Sequence, residues 1–219
     1  MTESAGKRCT HPVRRLAFLC AGLIIMAFGV AFSIKAALGT SPISSVPYVT
    51  ARISGLSVGT TTIIMNFIFV LIQIGILRKQ YQWFQLLQFP AAVLFGVMID
   101  VAEAVLAPLP AGNYLQQWLL CAVGIVLIAL GVSVEVMANL VTTAGEGIVL
   151  AICKVFPVKF GNMKMAFDIT LVCISIVLSL LFLGQLDGVR EGTVAAAVLV
   201  GQITKRFQPL MKALERAVL

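Results

Sequence analysis

The sequence predicts an all-α polytopic membrane protein: six transmembrane helices arranged as a 3+3 inverted repeat, with a short re-entrant helix after the first span of each half. Three observations lead there: an apolar composition, a repeat at a fixed offset, and the placement of the basic residues.

The chain has 219 residues, 60% of them hydrophobic and only 11% charged, with a mean hydropathy of +1.03. Soluble domains carry about 25% charged residues. Crossing a bilayer as a helix takes about 20 apolar residues, and such stretches lie at 15–37, 58–77, 83–107, 115–137, 160–183 and 192–208. The first follows Lys7, Arg8, His11, Arg14 and Arg15. Its apolar run from Leu16 to Ile34 exceeds the roughly 7–15 residues of a signal-peptide core, so it reads as an uncleaved span.

Sliding the chain against itself reveals the repeat. "GLIIMAFGVAFSIKAALGTSPI" (22–43) lies over "GIVLIALGVSVEVMANLVTTAG" (124–145) at an offset of 102. Gly22 meets Gly124, Gly29 meets Gly131, Val30 meets Val132, Ala36 meets Ala138, Leu38 meets Leu140 and Thr40 meets Thr142. The same offset sets Gly59 on Gly161 and Asn66 on Asp168; after a shift of three, "AAVLFG" (91–96) meets "AAVLVG" (196–201). The organisation is a basic tail 1–14, repeat 1 over 15–107, an outer loop 108–114, repeat 2 over 115–208 and an amphipathic tail 209–219. The stretch 205–219 is expected to lie along the inner surface.

Each half also holds a short segment, 40–56 and 142–158. If these cross, the halves are parallel; if they are re-entrant, the halves are inverted. With three spans per half, Arg78, Lys79, Lys154, Lys159, Lys164, Lys205 and Arg206 fall on the side of the basic N-terminus, and outside the spans only Arg52 and Arg190 lie opposite. That distribution follows the positive-inside rule. It also accounts for the net charge of +7 without nucleic acid as a partner; the bilayer is the partner composition demands. Residues 41–54 would make a helix of about 20 Å, short of the roughly 30 Å hydrocarbon core.

Irregular backbone at membrane depth must be satisfied by protein or by a water-filled cavity. In "GTSPISS", Thr40 or Ser41 suits the N-cap, with Pro42 at the first helical position and Ser44 following. In "VTTAGEG", Thr142 or Thr143 caps and Glu146 falls in the first turn. Two helix starts of this kind, one from each side, make a site for a polar or charged group. Asp168 and its mate Asn66 lie about 12 Å deep in their spans by helical rise, and ionisable residues at such depth mark pathways. The candidate substrate-binding residues are therefore Thr40, Ser41, Ser44, Asn66, Thr142, Thr143, Glu146 and Asp168. A bland alternative pairs Asp168 with Lys164 one turn earlier. Asp100 and Glu103 read as a solvated span end or a cation vestibule, and Lys35 and Glu135 as side chains that snorkel at span ends.

Gly22, Gly29, Gly124 and Gly131 form small-residue stripes for close helix packing. Cys9, Cys20, Cys121, Cys153 and Cys173 lack metal spacing and read as small hydrophobes. His11 is the sole histidine, and no catalytic motif appears; neither metal, cofactor nor enzymatic activity is expected.

The motifs "AALGTSPISSVPYV", "LLQFPAAVLFGVMIDV", "ANL…GEGIVLAI", "FGNMKMAFDITLV" and "LDGVREGTVAAAVLVG", in this order, resemble the YczE/YyaS/YitT family of bacterial integral membrane proteins. The resemblance covers about residues 14–207 and implies a multi-pass protein of the bacterial inner membrane, described at most as a membrane transporter. One departure is Thr143-Ala144-Gly145-Glu146-Gly147, where a Pro-Gly-Asp-Gly-like turn is expected. The resulting expectation is a small secondary transporter or facilitator for a small-molecule or ion substrate, with both termini cytoplasmic. A channel-like facilitator and a non-transporting scaffold, alone or as a homo-oligomer, are the alternatives. A lipid-handling role would predict a groove open sideways to the bilayer. Helix starts favour an anion, Glu146 and Asp168 a cation, and the sequence leaves both open.

Overall fold

The computed structural model describes residues 12–218; Lys7, Arg8, Cys9 and His11 of the basic tail lie outside the described residues. All regular structure among the described residues is helical: α1 (Pro12–Ala36), α2 (Pro42–Ser54), α3 (Val58–Leu77), α4 (Gln88–Leu106), α5 (Tyr114–Ala138), α6 (Ala144–Val155), α7 (Phe160–Leu178) and α8 (Glu191–Val218). Among the described residues five helices are long and apolar enough to cross a membrane: α1, α3, α4, α5 and α7, with α3, α4 and α7 extended by their flanking turns. The chain is thus a multi-pass membrane protein. The expected stretch 192–208 lies within α8, where Lys205 and Arg206 cut the apolar run short.

Local chemistry sets the boundaries. Ser57 caps α3 by accepting the Thr60 N–H, and Asn113 caps α5 by accepting that of Gln116. The chain leaves α2 at Gly55 (φ 73°) and α5 at Asn139 (φ 46°), residues that enter the left-handed region at little cost. Ser41 stands at the N-cap of α2 with Pro42 behind it, as expected, but its hydroxyl donates to Ser44 Oγ (3.0 Å) instead of accepting a backbone N–H.

The centre is the crossing of α1 and α5, where the glycine stripes meet. A Cβ on Gly29 would lie 2.7 Å from Ile128 N and 2.9 Å from Gly124 O; one on Gly131 would lie 2.7 Å from Gly22 O. Glycine is what permits this approach, and dispersion across it replaces the solvent-driven term missing in lipid. The contacts Gly22–Gly131 and Gly29–Gly124 are exchanged by the 102-residue offset, with α1 and α5 antiparallel.

Around this axis the other helices form a ring. α4 packs on α1 and α8 on α5; α3 packs on α4, α2 and α6; α7 packs on α2 and α6. These neighbours exchange in pairs between the halves, with one exception: α3 and α4 share a seam to which α7 and α8 have no counterpart.

Several expectations change. Glu135 does not snorkel but is 3% exposed. Lys35 does reach outward, donating to Ala107 O at the end of α4 (2.8 Å). Cys121 is buried while Cys173 is exposed on the flank of α7. The segment 205–219 is no separate surface helix: through Val218 it continues α8, and Met211 is buried against Val134 and Met137 of α5. On the opposite end, Arg52 of α2 pairs with Asp187 (3.3 Å) while 58% exposed. Exposed pairs contribute little, so Arg52→Ala is expected to change unfolding in detergent by less than about 1 kcal/mol, read from a denaturant midpoint.

Candidate functional site

The first residues of the two short helices meet on the α1–α5 axis. Ser41 and Thr143 both border a cavity of 380 Å³ and, beside it, one of 60 Å³; Met26 of α1, Ile128 of α5 and Ile43 of α2 border both as well. Beyond Thr143 lies a water-sized space of 10 Å³ against Asn66, Gln88 and Glu135.

The cavities of 60 and 380 Å³ are built from matched residues. The smaller is lined by Ser41, Ser44, Thr62 and Asn66. The larger is lined by Thr143, Glu146, Lys164 and Asp168. Each residue of the second set follows its counterpart in the first by 102 positions. The apolar walls match too, with Val30 and Phe95 in the smaller cavity and Val132 and Val200 in the larger. One half-site holds an amide and hydroxyls; the other holds three ionisable groups.

Inside the neutral half-site the Asn66 amide donates to Thr62 O (2.9 Å), one turn earlier, and the residue is 7% exposed. In the charged half-site the Lys164 ammonium donates to Asp168 Oδ1 (2.7 Å), again one turn earlier, with both side chains about a quarter exposed. The bland pairing of Asp168 with Lys164 is thus present in the structure, and it stands on the cavity wall. Glu146, in the first turn of α6, faces the same pair. The half-site thus holds two carboxyl groups and one amine. Lys205 and Gln208 of α8 stand at one end of the cavity.

Six of the eight expected residues thus gather: Ser41, Ser44, Asn66, Thr143, Glu146 and Asp168. Thr40 turns away; its N–H and hydroxyl donate to Gly188 O (3.0 and 3.4 Å), and it borders a separate 260 Å³ cavity with Tyr48, Asp187 and Arg190. Thr142 borders only the water-sized space.

Sequence reasoning missed the framework that aims these groups. Glu135 of α5 accepts the Thr143 N–H (2.6 Å) and so caps α6 from another helix. Gln73, 1% exposed, donates to Ala144 O (2.9 Å) and to Gln88 Oε1 (3.1 Å), pinning the same turn from α3 and α4. Asp100 accepts from Gly59 N and Ser57 Oγ, both at 2.7 Å, and so closes the start of α3. Thr62 could have been found by applying the 102-residue offset to Lys164.

A family model described as a family of unknown function, DUF6198, matches residues 13–209. The chain is 31% identical over 200 residues to the uncharacterized membrane protein YczE of Bacillus subtilis (strain 168), covering 90% of this chain and 86% of that protein. It is 26% identical over 193 residues to the uncharacterized protein YyaS of the same organism, covering 87% and 90%. No solved structure gives a significant match.

Proposed function

The chain belongs to the DUF6198 family and is similar to YczE and YyaS, and on that premise we propose that it is a small secondary transporter of the bacterial inner membrane. Its solute binds between the starts of α2 and α6, on the half-sites of Asn66 and Asp168. The observation that carries this reading is the 380 Å³ cavity at the α1–α5 crossing, where Glu146, Lys164 and Asp168 stand beside Ser41 and Thr143. Charges held in the apolar interior of a membrane protein are costly and are kept where a pathway needs them.

The topology in this reading has six spans, α8 being the sixth, and two three-span halves of opposite orientation. At 13 and 12 residues, α2 and α6 are too short to cross at 1.5 Å per residue. They enter from opposite faces, so their N-terminal N–H groups converge at mid-depth. Both termini are cytoplasmic, and the end of the cavity at Lys205 and Gln208 is its cytoplasmic mouth. The structure then corresponds to an inward-open state.

The test is electrical recording on proteoliposomes challenged with a panel of amino acids, polyamines and mono- and dicarboxylates. Asp168→Asn and Glu146→Gln are each expected to reduce the solute-evoked current of any responding compound at least tenfold. Wild-type currents in both variants would remove these residues from the mechanism, and a response linear in concentration would favour a channel.

A second reading, handling of an amphiphile, is favoured by the missing α7–α8 seam, which leaves the ring of helices open on one side. Including alkyl phosphates and alkylamines in the panel separates the two.

A further inference from the structure

The α3–α4 seam is held by glycine. A Cβ on Gly59 would run into Gly96 O, and one on Gly96 would lie 2.5 Å from Gly59 O. The Asp100 carboxylate, one turn along α4, latches it by accepting from Gly59 N and Ser57 Oγ. The counterparts of these glycines in the second half are Gly161 and Gly201, and at both a Cβ would meet nothing within 4 Å. The second half therefore keeps the glycine pair of a close seam without the seam. Where the seam is shut, the half-site behind it is the 60 Å³ cavity; where it is absent, the half-site is the 380 Å³ cavity. Two half-sites at matched positions, with matched glycine pairs beside them, thus differ in which seam is closed as well as in charge.

Resting on the transport reading, we propose that the α3–α4 and α7–α8 seams close alternately, and that Ser44, Thr62 and Asn66 are the outward-facing solute site, uncovered when Gly161 closes on Gly201 and Asp100 releases α3. The geometry of the closed seam is already given by its partner: Lys159 and Lys205, the counterparts of Ser57 and Asp100, come together at its end. Glycine at 161 and 201 serves that second state, since in this one larger side chains would fit.

The test uses the full chain in vesicles, with the native cysteines replaced. Ser57→Cys with Asp100→Cys, and Lys159→Cys with Lys205→Cys, are each expected to form a cross-link with a short bifunctional thiol reagent. A chain carrying all four cysteines is expected to show one link or the other, never both. In a separate chain, Thr62→Cys is expected to react with an impermeant maleimide applied from outside. Adding Gly161→Leu and Gly201→Leu, which the present state accommodates, is expected to cut that reactivity at least tenfold. Both links in one molecule would overturn the proposal. So would a 159–205 pair that never links even with Asp100→Asn, or Thr62→Cys reactivity indifferent to the two leucines. None of these measurements needs a solute, so alternating seams together with no solute-evoked current from any compound would retain the seam motion and remove the transport reading.

Discussion

Gly29→Leu is expected to destabilise the protein by about 3 kcal/mol or more, the upper range for overpacking a filled interior. The atoms a Cβ would meet, Ile128 N and Gly124 O at 2.7 and 2.9 Å, are backbone. They cannot rotate aside, so α1 and α5 must separate along the whole crossing that organises the fold. Gly161→Leu is the control, because the same side chain there meets nothing within 4 Å and replaces glycine in a helix, which by propensity is worth up to about 1 kcal/mol. Unfolding in mixed detergent, followed by circular dichroism, should show a sharply lower midpoint for Gly29→Leu and an unchanged or higher one for Gly161→Leu. Equal midpoints would mean that the crossing does not carry the stability assigned to it.

The second large effect is expected at Glu135. Its carboxylate, 3% exposed, takes the N–H of Thr143 at 2.6 Å, and α6 has no side-chain cap of its own. Glu135→Ala strands that donor and leaves a void beside it. Leaving a buried donor without a partner costs about 1–3 kcal/mol, so a loss of about 1–3 kcal/mol is expected. Glu135→Gln, whose amide oxygen can still accept, should lose less than half as much. Hydrogen exchange of the peptide spanning 141–148 discriminates: it should accelerate in Glu135→Ala well before global unfolding and remain slow in Glu135→Gln. Uniform acceleration across the chain would show a general packing defect in place of a lost cap.

The helices were legible because their signals are local. The apolar runs, Pro42 behind Ser41, and Gly55 all declare themselves within a few residues, and α1 to α7 begin and end close to where those signals put them. The pairing of Asn66 with Asp168 was also legible, through the 102-residue offset, since an offset is a property of the sequence alone. What escaped was the set of polar contacts that a residue makes with a different helix. Glu135 looked like a span-end carboxylate because nothing near it in the sequence says that Thr143 folds back onto it. Gln73 and Gln88 lie in unremarked apolar stretches, yet together they hold Ala144. Thr40 and Thr142 matched each other in the repeat but point away from the central cavities, because a matching position fixes a backbone path and leaves the direction of the side chain to its neighbours. The continuation of α8 past Pro209 is likewise decided by Met211 finding Val134 and Met137, a tertiary event.

Asp100 of α4 and Lys205 of α8 occupy matching positions and carry opposite charge. Beside the first turn of α3, whose free N–H groups bear partial positive charge, a carboxylate is stabilising. A closed α7–α8 seam would instead set the ammonium groups of Lys159 and Lys205 beside the first turn of α7. On these electrostatic grounds the proposed second arrangement is the less favourable of the two. Dissolved salt, which screens exposed charges over about 8 Å at physiological ionic strength, is the variable that narrows the gap between them.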